Sequence, residues 1–188
     1  RYNAEIIYTH TVSSKSRPDR IYVVSCDLLE ADMKTSHWDH LTADLDPKLA
    51  NMILHLGDQY YADVQFARGV KSLGEAPEHQ HALVKQRIRE EYRKRCEETW
   101  RPHIQTLSNT SNLMLRDDHE VSNDYLFPTH PEREGESSSS KRILQDAVAE
   151  EAYIVYDEYE RQLHFQPIPY KQDTWTKEID DLLIVAID

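Results

Sequence analysis

Three short segments of this 188-residue chain each place acids directly after an apolar run. IYVVSCD (21–27) ends in Cys26 and Asp27. NMILHLGDQYYAD (51–63) carries Gly57 and Asp58, with Tyr61 and Asp63 just beyond. SNLMLRDDHE (111–120) ends in Asp117, Asp118, His119 and Glu120, followed by Asn123. Carboxylates, imidazole, phenol and thiol are the donors with which proteins hold hard and borderline metal ions. Carboxylates crowded together raise one another's pKa unless a cation neutralises them. A bound metal removes that repulsion, and two metals need a shared carboxylate. Asp58 is the candidate bridge, because the glycine before it lets the backbone turn sharply.

Each segment alone has an ordinary reading. Gly-Asp after a strand is a common turn. Asp-Asp-His-Glu is usually a solvated loop or a helix start with favourable dipole charge. A lone cysteine is most often a small buried hydrophobe. The three together, each at the end of an apolar run, point to a metal site. Other histidine pairs carry less. His37 and His40 have no third ligand near in sequence, and Glu78-His79-Gln80-His81 reads as a solvated loop or cap before a helix.

The elements that must position these residues follow from apolar patterning. Runs at 4–8, 21–25, 52–56, 113–115 and 182–187 read as strands, several of them continuous enough for burial on both faces. Residues 82–100 carry Leu83, Val84, Ile88, Tyr92 and Cys96 at helical spacing, stopped by Pro102. A longer helix is expected over 141–165, capped by Ser140, with Ile143, Leu144, Ala147, Val148, Ala152, Val155, Tyr159 and Leu163 on its apolar face. A weaker helix is expected over 38–44. The polar stretch THPEREGESSSS at 129–140 reads as a mobile linker. The basic run from Lys85 to Arg95, interleaved with Glu90 and Glu91, reads as an exposed helix face with i,i+4 pairs, not a nucleic-acid patch. Tyr153, Tyr156 and Tyr159 read as core or interface. Strands alternating with helices give an α/β layered fold, in which ligands gather beyond the carboxyl ends of the strands.

Composition narrows the class. Lys and Arg number 22 against 34 Asp and Glu, for a formal charge of −12, which disfavours nucleic acid and anionic membranes. No apolar run approaches the roughly 20 residues of a membrane span. Four glycines, none in a GxxxxGK[ST] or GxGxxG pattern, exclude the usual nucleotide loops. Two cysteines exclude a disulfide framework. The chain starts at Arg1 with neither an initiator Met nor a visible secretory signal, so a trimmed or internal fragment is expected. Compartment and oligomeric state stay open at this level.

VVSCD (23–27), LHLGDQYYAD (54–63), LRDDHEVSNDY (115–125) and VYDEYERQL (155–163) together resemble the PhoD-like phosphatases, within the calcineurin-like metallophosphoesterase superfamily. The resemblance implies a layered αββα-type sandwich, of which residues 1–188 would form the N-terminal portion of one domain, its C-terminal strands missing. It implies hydrolysis of phosphate monoesters or diesters by a metal-bound hydroxide, with Fe³⁺ and Ca²⁺, or Zn²⁺ or Mn²⁺, as cofactors. Cys26, Asp58 and Tyr61 would hold the iron. Asp58 would bridge to a second metal held by Asp118, with Asp117 as a further ligand or an acceptor behind it. His119 would meet the phosphate and leaving group, and Glu120 and Asn123 would orient His119 and its loop. The family's later Gly-Asp-x-His-like segment is not found here, so the chain alone is expected to be a poor enzyme. A non-catalytic binding or scaffolding module is the alternative. A structural Ca²⁺ protein ranks last, since no EF-hand loop is present.

Overall fold

Continuous apolar runs are what parallel strands covered on both faces require. In the computed structural model, which describes residues 17–26, 37–125, 139–159 and 175–186, the three acid-terminated runs form one parallel sheet. Strand β1 (Arg20–Val24) pairs with β2 (Asn51–Leu56), and β2 pairs with β3 (Ser111–Leu115). Val24, His55 and Met114 lie in one row of the register, so all three chains leave the sheet at the same edge. The expected strand at 4–8, Asp27, most of the 129–140 linker, and the tail of the long helix with Leu163 lie outside the described residues.

Central strand β2 is buried along most of its length, whereas Ile21 and Val23 of β1 are exposed. On one sheet face, Ile53 and Met114 pack with Trp38 of helix α1 (His37–Asp44), with Trp100, and with Leu107 of the short helix α4 (Ile104–Ser108). On the other face, Met52 and Leu113 meet Ile179 of an antiparallel hairpin, β4 (Trp175–Ile179) and β5 (Leu182–Ala186). Only β5 is legible as a run of apolar residues.

Helices α2 (Asp63–Glu75), α3 (His81–Trp100) and α5 (Ser140–Tyr159) pack against one another. Their core joins Phe66 and Leu73, then Val84, Ile88, Tyr92 and Cys96, then Val148, Ala149, Ala152, Tyr153 and Val155. Burying a large apolar side chain is worth about 1.5–3 kcal/mol, which explains why the i,i+4 row from Val84 to Cys96 faces inward. A Cβ on Gly69 would lie 3.0 Å from Val148 Cγ1, so the glycine lets α2 approach α5 closely. Tyr60, Ala62, Val121 and Tyr125 belong to the same core, and they come from the loops that follow β2 and β3. The helices thus pin those loops from behind.

Four expectations need correction. Leu83 and Ile143, placed on the apolar faces by spacing, are exposed, each near the first turn of its helix. Ser139 rather than Ser140 caps α5, its Oγ accepting the Arg142 N–H at 3.2 Å. Helix α2 was not expected at all. The basic run of α3 is not simply a solvated face. Arg89 Nε and Nη2 donate to Glu151 Oε2 of α5 at 2.9 and 2.6 Å. Arg93 grips Glu158 with two bonds of 2.7 and 2.6 Å. Lys94–Glu98 is one pair of the expected i,i+4 kind.

His55 is buried on β2 with Nε2 3.0 Å from Asn112 Oδ1. Burial holds its pKa down to about 4, against an ordinary 6.5, with the Asn112 bond opposing. The folded state therefore refuses a proton that the unfolded chain accepts below pH 6.5. Stability should be fully present above pH 6.5 and fall as pH drops toward 4, by about 3 kcal/mol from this residue. Urea midpoints measured across that range should fall steeply in the wild type and less in His55→Gln. Equal slopes in the two proteins would contradict the assignment.

Candidate metal centre

The three strand ends converge through unusual backbone. Gly57 has φ +93°, and a Cβ there would sit 2.5 Å from Asp117 Cβ, so only glycine lets the β2 exit touch the β3 exit. Cys26 (φ 59°) and Asp58 (φ 55°) are both left-handed non-glycine residues. Such conformations cost of order 1–3 kcal/mol and persist where surrounding structure enforces them. The Cys26 N–H donates to the Gly57 carbonyl at 3.3 Å, tying the end of β1 to the end of β2.

Asp58 sits at the centre. Its Oδ2 accepts from Tyr61 Oη at 3.3 Å and from Cys26 Sγ at 3.5 Å. Its Oδ1 is buried and has no hydrogen-bond partner. Ligand atoms of Asp58, Asp118 and His119 all lie within 4.8 Å of one another, so these three can hold a metal ion. One Asp118 oxygen accepts the Asp124 N–H. Burial, and then the Asp58 charge, raise the pKa of Asp117, the repulsion that crowded acids must show without a cation. Burial, followed by Asp58 and Cys26, pushes the Tyr61 phenol far up, so its ionisation needs a strong local cation.

Adjacent tyrosines divide the work. Tyr60 is fully buried edge-on to Trp100, whereas Tyr61 turns to the crevice and lies against His119, ring centroids 4.1 Å apart. Cys26 is exposed at the crevice, and Cys96 is the buried cysteine. Neither His37 and His40 nor His79 and His81 belongs to a metal-competent group among the described residues.

His119 has a further support in Asp63. Asp63 Oδ2 lies 3.0 Å from His119 Nδ1, and Asp63 Oδ1 accepts the Asn123 N–H at 2.7 Å. Burial would raise the Asp63 pKa, but the Asn123 N–H and the His119 contact outweigh it and hold the carboxyl below its usual value. Asn123 therefore acts on the histidine through its backbone and through Asp63. Glu120 is buried with its oxygens on the backbone N–H groups of Gln59 (2.5 Å) and Asp117 (2.7 Å). It fastens the β2 exit to the β3 exit and so holds the loop that carries His119. Burial pushes its carboxyl up to about 8 despite both donors. Glu120→Gln replaces one acceptor oxygen with an NH₂ facing an N–H. A loss of about 1–3 kcal/mol in urea unfolding is expected, and unchanged stability would contradict this role.

A parallel α/β sheet that gathers acids, a histidine, a phenol and a thiol beyond its carboxyl edge defines a protein with an acidic, metal-competent crevice. The donor set and the orphaned Asp58 oxygen fit a bound metal. A family model described as PhoD-like phosphatase matches residues 21–179, spanning all three strand ends and α5. The chain belongs to the PhoD-like phosphatase family, whose name points to phosphate-ester hydrolysis. No curated protein and no solved structure shows a significant match. No helix among the described residues is long and apolar enough to cross a membrane.

Proposed function

We propose that this crevice hydrolyses phosphate monoesters or diesters with a pair of metal ions held by Cys26, Asp58, Tyr61 and Asp118, with Asp117 as a further oxygen ligand. The observation that carries the reading is the buried, unpartnered Asp58 Oδ1 beside Asp118 and His119. With one oxygen toward Cys26 and Tyr61 and the other without a hydrogen-bond partner, Asp58 would be shared between the two ions. A thiolate and a phenolate favour Fe³⁺, and carboxylate oxygens suit Ca²⁺, so that pairing ranks above Zn²⁺ or Mn²⁺. When bound, the ions supply Lewis acidity and activate water at neutral pH. The sheet, with the hairpin on one face and helices on the other, is read as part of a layered αββα sandwich.

The remaining work falls to this chain's own side chains. Asp63 is held ionised and can only accept, so His119 Nδ1 carries the shared proton. That fixes Nε2 as the nitrogen free to meet a phosphate oxygen or a departing alkoxide. Tyr61, packed on the ring, limits its rotation. Protonated, His119 donates to the leaving oxygen as negative charge develops there.

Chelation tests the reading. Aryl phosphate turnover by the protein at its full natural length should vanish after exhaustive removal of metal and return with Fe³⁺ and Ca²⁺ together. Full turnover by metal-free protein would defeat the proposal.

A further inference from the structure

Ser25 stands between β1 and the candidate ligand Cys26, and the site described so far gives it no part. Its Oγ lies 3.3 Å from Cys26 Sγ and 3.4 Å from the Gly57 carbonyl oxygen. A serine hydroxyl has one proton to donate. The Gly57 carbonyl already accepts the Cys26 N–H, whereas the sulfur has Asp58 Oδ2, an acceptor, on its other side. A sulfur that has become an anionic ligand can no longer donate. It becomes the strongest acceptor within reach of the hydroxyl, because hydrogen bonds to ionised groups are roughly twice as strong as neutral ones.

From this geometry we infer that Ser25 is a positioning residue for the metal-bound sulfur, its hydroxyl, 3.3 Å from Cys26 Sγ, donating to that sulfur when it coordinates. The inference rests on Cys26 being a ligand, as proposed above. Two consequences follow. The hydrogen bond withdraws charge from the sulfur and so weakens its donation to the metal, and hydrogen bonds of this kind are an established control on reduction potential at sulfur-ligated iron. The bond also fixes the Cβ–Sγ direction of a residue whose left-handed backbone is already constrained. Ser25 is exposed, so removing its hydroxyl leaves the core untouched.

The test compares wild type, Ser25→Ala and Ser25→Thr, each loaded with Co²⁺ and, separately, with Fe³⁺. The readouts are the sulfur-to-cobalt charge-transfer band and the iron reduction potential, neither of which a merely structural loss would move in a defined direction. Ser25→Ala should shift the band to lower energy and the potential downward, and Ser25→Thr, which keeps the hydroxyl, should restore both. A wild-type band that Ser25→Ala leaves in place overturns this inference alone. Absence of any sulfur-to-cobalt band in the wild type overturns the inference together with Cys26 ligation.

Discussion

His119→Ala in the full-length protein should lower kcat for an alkyl phosphate by roughly 10²–10⁴-fold, the range that a positioned general acid supplies. The loss should be smaller for a nitrophenyl phosphate, whose leaving group departs without a proton. Asp63→Asn should reproduce this pattern at a reduced scale. An amide can still reach Nδ1, but it carries no charge, and it can present an N–H where the histidine needs an acceptor. Equal losses with both leaving groups would contradict acid catalysis by His119. Wild-type kinetics in Asp63→Asn would contradict the role of its 3.0 Å contact to Nδ1.

What was legible in the sequence was local. Strands β1, β2 and β3 stand out as short apolar runs, and the acids stand out because each group comes at the end of such a run. Helices α3 and α5 show their 3.6-residue repeat over 20 residues each. Helix α2 escapes because DVQFARGVKSLGE buries only Phe66, Gly69 and Leu73, and a glycine in mid-helix reads as a break. Its glycine is there for closeness to α5, which no local pattern reveals. Strand β4, WTKEI, has charged residues and finds its register only by pairing with β5.

The same divide runs through the site. Cys26, Asp58, Tyr61, Asp117, Asp118 and His119 could be named from type and position, and the fold brings them to one edge of the sheet. Asp63 stood in the quoted segment without a role, because its partner His119 lies 56 positions away. Glu120, expected to orient His119 and its loop, holds that loop by reaching across to Gln59, 61 positions away, and back to Asp117. Arg89 and Arg93 looked for partners within their own helix and found them 62 and 65 positions away. Spacing identifies donors, and only the packed chain identifies which acceptor each one meets.

The central claim is that these three strand ends assemble a metal centre around the bridging carboxylate of Asp58. Asp58→Asn keeps the side chain's shape and removes its charge and one oxygen donor. Elemental analysis of the as-purified wild type and of Asp58→Asn, with aryl phosphate turnover measured on the same samples, tests it most directly. Near-stoichiometric iron with a second metal is expected in the wild type, with loss of both metals and turnover at background in the variant. Wild-type metal content and turnover in Asp58→Asn would contradict it.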